Sequence, residues 1–186
     1  MLTDSKNIAN ELEQFINSHL TALKSVAAVH SQDTEELNWE MTLYSTAKLY
    51  PNILTMLVTE KSGTITATHP ANFLTKVGDT FPSVSDRPYF KMPKESHQAF
   101  VSDVFEGRGF GTDPIVALSV PLMINGEFSG IVEASLNLDK LSQVDSQHVH
   151  ESATTLIFDR NNNVIYASEP LPYAFLQSLV NLPIQK

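Results

Sequence analysis

"ILTMLVTEKSGTITAT", Ile53–Thr68, is where the period of the chain changes. Before it, apolar residues recur at three- and four-residue steps. Within it, β-branched and apolar residues are broken by one short polar turn. Such a pattern marks strands, and the glycine in "KSG" supplies positive φ at low cost. The stretch predicts a strand over "ILTMLVTE", a tight turn, and an antiparallel partner over "TITATHP".

Upstream, Ile8, Leu12, Phe15, Ile16, Leu20, Leu23, Val26 and Ala27 form one apolar stripe, and no proline or glycine interrupts it. A helix from about Asp4 to Ser31 follows, roughly 40 Å long. "SQDTEELNWE" restarts the pattern. Asp33 can cap a second helix, with Glu36 in the capping-box position. Leu37, Met41, Tyr44 and Lys48 share a face of it, and Pro51 ends it. Downstream, a long polar loop reaches Ser85. "QAFVSDVF", "PIVALSVPLMI" and "FSGIVEASLNL" then read as three more strands, parted by "EGRGFGTD" and "NGE". The expectation is an α+β domain: a long N-terminal helix packed on a five-stranded antiparallel sheet.

"TMLVTEKSGTITAT", Thr55–Thr68, returns in altered form as "TTLIFDRNNNVIYA", Thr154–Ala167. Leu57 matches Leu156, Val58 matches Ile157, Glu60 matches Asp159, Lys61 matches Arg160, and Ile65 matches Val164. The weak repeat points to a second copy of one module beginning near Ala153. Two strands and a short helix, "PYAFLQSLVN", fit before Lys186, so the second copy reads as reduced or truncated.

The 186 residues give room for one domain, with or without a small second module, and 42% hydrophobic content suits a globular core. Twelve cations against 21 acids, a net charge of -9, argue against a nucleic-acid or anionic-membrane surface. There is no cysteine, which excludes disulfides, thiol nucleophiles and thiolate metal sites. No apolar run reaches the roughly 18 to 20 residues that span a bilayer. The polar opening "MLTDSKNIANE" lacks the h-region of a signal peptide and reads as a cut inside a longer protein.

Candidate binding residues gather in "SDRPYF", Ser85–Phe90. The Arg87 guanidinium can grip a carboxylate through two parallel hydrogen bonds, and the Tyr89 hydroxyl can join it. The bland reading pairs Arg87 with Asp86 or Asp103 and sends the rings, with Phe100, into the core. Ser102 and Asp103 are neighbours on a strand, so one of the two faces a pocket. His148 and His150 in "HVH" share a strand face, but two imidazoles do not make a metal site. "GRGFG" lacks the lysine and the setting of a phosphate loop and reads as a turn. No catalytic constellation, metal site or cofactor motif is evident.

Taken together, the long helix, the second helix ending at "YPNI", the hairpin, "SDRPYF", "FVSDVFEGRGFGTDPIVALSVPL" and "GEFSGIVEASLNLDKL" resemble the Cache family of sensor domains. These are extracytoplasmic, PAS-like modules of bacterial histidine kinases, diguanylate cyclases and chemoreceptors. The resemblance covers about Asp4 to Leu141, and the repeat suggests the double form. It implies a helical segment at 1–50, a membrane-distal ligand-binding module at 51–141, and a partial or reduced membrane-proximal module at 142–186. It also implies flanking transmembrane helices, a periplasmic or extracellular location, and a homodimer through the N-terminal helix.

In the family the arginine and aromatic of this motif face the pocket, and Arg87 and Tyr89 stand there. Amino-acid-binding members use an aspartate on the last strand to hold the ligand's amine. Here the aligned residue is Ser135, with Glu133 nearby. The resemblance therefore implies a small anionic ligand, a carboxylate, bound through Arg87, Tyr89, Ser102, Asp103 and Ser135. A ligand-free dimerisation module is the competing expectation, and an enzyme built on histidines and carboxylates ranks last.

Overall fold

A computed structural model of the chain describes residues 2–32, 38–74, 80–106, 114–137 and 156–167. The chain forms two compact units, Ile16–Ser102 with Ala117–Leu136, and Met1–Phe15 with Asp103–Val116 and Asn137–Lys186.

Helix α1 runs Leu2–Gln32. Leu23 and Ala27 of the expected stripe are buried, and His19 joins them at one helical turn's spacing. Helix α2, Trp39–Leu49, starts at Asn38, whose side chain accepts from the Met41 amide at 3.0 Å. This satisfies one of the amides a helix start leaves open. Asp33 and Glu36, expected to cap it, lie outside the described residues. The face expected from Met41, Tyr44 and Lys48 points outward: Met41 is 62% exposed and Tyr44 50%. Leu43, Thr46 and Ala47 are the residues α2 buries.

The predicted hairpin is present as β1, Ile53–Thr59, and β2, Ile65–His69. Gly63 closes the turn at φ +90, and its carbonyl takes the Val84 amide at 2.9 Å. The segment before "RPYF" is thereby tied to the hairpin turn. Helix α3, Pro88–Ser96, follows with Pro88 at its first position, where its fixed φ and missing donor cost nothing.

"QAFVSDVF" does not form one strand. It yields two short pieces, β3, Phe100–Val101, and β4, Phe105–Glu106. Between them Ser102 substitutes a hydroxyl for a ladder group: the Ala117 amide donates to Ser102 Oγ at 2.9 Å. Strands β5, Pro114–Ile124, and β6, Glu127–Asn137, form the long central hairpin. Its turn, Asn125–Gly126, has φ +51 and +81, the pairing that matches strand twist.

The six strands form one antiparallel sheet in the order β2-β1-β6-β5-β3, with β4 also on β5. The sheet thus has six strands where five were expected, because Ser102 breaks the third. Pro121 in β5 lies beyond the residues that β3 pairs, so its missing donor interrupts no bond with that strand. Leu118, Ile131, Val132, Ala134 and Leu136 are fully buried at the centre.

A second, two-stranded sheet pairs β7, Leu156–Phe158, with β8, Val164–Ala167. The expected helix "PYAFLQSLVN" lies outside the described residues. Among the described residues no helix is long and apolar enough to cross a membrane.

Candidate ligand-binding site

Arg87 is the N-cap of α3, in extended backbone at φ -84 and ψ 142, and half-buried. Its amide donates to the Val84 carbonyl at 2.9 Å, and its own carbonyl accepts from Phe90 and Lys91. The cation is thus carried at a fixed point where a turn becomes a helix. Tyr89 and Phe90 are buried behind it. The Phe90 ring meets Phe128 edge-on at 5.9 Å, and Lys94 Nζ stands 5.4 Å from its centroid. Phe90 is core, as expected, whereas Phe100 is only half-buried.

Ser102 is buried, and its Oγ accepts from the β5 backbone as described above. Asp103 belongs to the other compact unit, where its Oδ1 lies 2.6 Å from Arg160 Nε. The two residues, expected as neighbours on one strand, lie between β3 and β4 and serve different parts of the chain.

Ser135 is buried on β6, and its hydroxyl donates to Glu133 Oε1 at 2.8 Å. Glu133 is 1% exposed, the most deeply buried charged-type residue described. Burial pushes its carboxyl up from 4.5 to about 8, and the Ser135 hydrogen bond works weakly against that.

Register places this pair. Met56 faces Ala134 and His69, while Leu57 faces Glu133 and Thr68, and Thr55 faces Ser135. Tyr44 of α2 meets His69 edge-on at 5.8 Å, so α2 covers the face of Met56 and Ala134. Alternation sends Glu133, Ser135, Thr55 and Leu57 to the opposite face. Thr55 is buried there, and Leu57 is half-buried.

Glu133 is the residue that sequence reasoning undervalued. A lone acid within "GIVEASL", an otherwise apolar strand run, was the available signal. A carboxyl placed there is costly unless something uses it. On β5, Ser119 is fully buried, and its Oγ has no hydrogen-bond partner among the described residues. His148, His150 and "GRGFG" lie outside those residues.

Open clefts among the described residues include two at the ends of the sheet strands. One, about 740 Å³, lies along the turns at Glu60–Ser62 and Ile124–Asn125. The other, about 440 Å³, lies between α2 and the end of β2, lined by Met41, Tyr44 and His69 among others.

The profile of the family described as Cache domain matches residues 1–185. No curated protein matches the chain. Among solved structures, the ligand-binding domain of the Pseudomonas aeruginosa amino acid chemoreceptor PctB, in complex with L-Gln, is similar at a TM-score of 0.75 and 13% identity. That match covers 96% of this chain and 71% of the other. An extracellular ligand binding receptor from Desulfohalobium retbaense is similar at a TM-score of 0.72 and 18% identity, covering 87% of this chain and 29% of that one. The ligand-binding domain of the P. aeruginosa chemoreceptor PctC, in complex with GABA, matches at 0.59 and 18%, covering 74% and 59%. The chain thus spans less than two thirds of the last two. At these identities the likeness is one of fold.

Proposed function

The chain belongs to the Cache domain family, whose modules are ligand-binding and non-catalytic, and from that premise we propose that it is an extracytoplasmic sensor for a small carboxylate. The observation that carries the reading is the Glu133–Ser135 pair, an almost fully buried acid hydrogen-bonded by a hydroxyl in the middle of an apolar sheet. A core built for stability alone replaces such a group with a hydrocarbon side chain at little cost or with a gain. Retaining it points to recognition.

In this reading Arg87, fixed at the α3 N-cap, takes the ligand carboxylate through its two-pronged donor face, and Tyr89 adds a hydroxyl. Ser102 and Ser135 supply polar wall, and Asp103 acts through its pairing with Arg160. The module at 51–141 is the membrane-distal, ligand-binding one, 142–186 is its reduced or partial membrane-proximal counterpart, and 1–50 carries the long helix. Flanking transmembrane helices anchor a homodimer formed along that helix. A kinase, cyclase or chemoreceptor output reads a shift that follows from different ligand affinity for two helix arrangements.

Two of the three neighbours named above were solved with L-Gln and GABA, so amino acids belong in the test. Thermal shifts of the purified domain against small carboxylates, amino acids, amines and purines, repeated with Arg87→Ala, check the proposal. A binder at 100 times its Kd adds about 2.7 kcal/mol of stability. A carboxylate that stabilises the parent and not Arg87→Ala is the expected result. Silence from every compound would overturn the sensor reading.

A second reading has its own observation. Met41, Tyr44 and Leu49 of α2 and Val29 of α1 are all at least half exposed, an apolar set suited to contact with another protein. A ligand-free dimerisation module uses that surface. It is favoured if the domain is a stable dimer that no metabolite perturbs.

A further inference from the structure

We infer that Glu133 sets the specificity of the ligand site as a neutral acid, donating its own proton in a hydrogen bond to an acceptor oxygen of the ligand. The inference rests on the small-carboxylate sensor reading above and says what the rest of that ligand must look like.

Glu133 sits on β6 with β1 on one side and β5 on the other. Neither β1, Ile53–Thr59, nor β5, Pro114–Ile124, carries an ionisable side chain. Among the described residues, the side-chain hydrogen bond that Glu133 makes is the one from Ser135, and burial is what raises its titration. An ionised carboxylate at such depth needs two or three donors, and Ser135 supplies one. The neutral acid fits better. Ser135 donates to Oε1, which leaves the proton on Oε2 with one acceptor to find.

An ammonium group is the poorer occupant. It brings three donors, and beside Glu133 on this face Leu57 directly across and Ile131 two residues back are hydrocarbon, while the Ser135 hydroxyl is engaged with Glu133 and Thr55 lies opposite Ser135 rather than Glu133. Donors turned toward Leu57 and Ile131 would be buried without partners. A single acceptor oxygen leaves nothing unpaired. Leu57 is half-buried, so the face beside the acid is not sealed. The ligand class is therefore a small carboxylate with a second acceptor oxygen: a dicarboxylate, a hydroxy acid or a keto acid.

Since the acid form is the competent one, affinity falls about tenfold per pH unit above the Glu133 midpoint, which lies at about 8. Two probes of similar length separate the alternatives, succinate with a second carboxylate and 4-aminobutyrate with an ammonium. Calorimetric titration of each, at millimolar concentration from pH 6 to 9, is made on the parent, Glu133→Gln, Glu133→Leu and Arg87→Ala. Succinate should bind the parent with the stated pH dependence. Glu133→Gln, whose amide still donates but does not titrate, should bind it with a flat profile, and Glu133→Leu should lose more than tenfold. Should the Leu variant not fold, the flat profile of the Gln variant decides.

Tighter 4-aminobutyrate binding as pH rises, abolished in Glu133→Gln, would overturn the inference in favour of an ammonium. Succinate binding that needs Arg87 but ignores both Glu133 variants would also overturn it, while leaving the sensor reading intact. Binding of neither probe overturns it too, and the wider thermal-shift screen then decides the sensor reading separately.

Discussion

Gly63 and Asn162 hold the same place in two copies of one hairpin. Both have positive φ, +90 and +61. The Gly63 amide donates to Glu60 at 2.9 Å, and the Asn162 amide to Asp159 at 3.0 Å. In β1–β2 the ladder runs Leu57↔Thr68, Val58↔Ala67, Thr59↔Ile65, with its register shift after Val58. In β7–β8 it runs Leu156↔Ala167, Ile157↔Tyr166, Phe158↔Val164, with the shift after Ile157. The repeat read from sequence is therefore a repeat of backbone geometry, down to the bulge.

The two positions should nevertheless respond differently to mutation. A Cβ at Gly63 would stand 2.9 Å from Ser85 backbone atoms, in addition to the strain of its φ. Gly63→Ala should cost about 2 kcal/mol, and Asn162→Gly should change stability by only a few tenths, since Asn already tolerates left-handed backbone. Urea denaturation of each variant measures this.

Gly130 carries a heavier constraint. Any Cβ there would overlap the Thr59 carbonyl oxygen at the end of β1. The Thr59 hydroxyl also receives the Ile131 amide at 3.1 Å, which ties β6 to β1 there. Gly130→Ala should destabilise by on the order of 3 kcal/mol or prevent folding. Thr59→Val, which removes only the acceptor, should cost roughly 1 kcal/mol. Denaturant midpoints at constant slope distinguish the two.

These glycine contacts show where sequence reading reached its limit. The helix stripe, the hairpin and the long strands were legible because period and turn chemistry are local. The split of β3 from β4 was not, since it depends on Ser102 meeting Ala117, a partner distant in sequence. That Met41, Tyr44 and Lys48 share a face of α2 was legible, but not which face is buried, since Met41 and Tyr44 are exposed while Leu43, Thr46 and Ala47 are buried. Arg87 was visible as a candidate from its motif. Glu133 was visible as a letter, but only strand register and burial gave it weight.

The Asp103–Arg160 contact should matter little to stability. Its side chains are 42% and 62% exposed, so water and salt screen the pair. Arg160→Ala should cost at most about 1 kcal/mol, and less still in high salt. On the sensor reading proposed above, the same variant in the full-length protein tests whether Asp103 contributes to a response. Unchanged ligand affinity with an altered output would assign the pair to signal transfer, whereas an unchanged output would leave it a surface contact.

Glu133 makes the stability of the sheet depend on pH with a definite sign. Its folded-state midpoint, about 8, lies above the ordinary 4.5. Between those values the native chain binds a proton that the unfolded chain has released, so stability falls as pH rises. The contribution is whole below pH 4.5, declines through the window, and levels off above about 8. Since each pH unit of displacement is worth roughly 1 kcal/mol, the loss is on the order of a few kcal/mol. Glu133→Gln should flatten this part of the profile and raise stability at pH 9 relative to the parent. Glu133→Leu should do the same, with the Ser135 hydroxyl then lacking its acceptor. Urea midpoints at pH 5, 7 and 9 test the slope. Parallel profiles for parent and Gln variant would mean that Glu133 is ionised in the folded chain, with a donor or cation beside it.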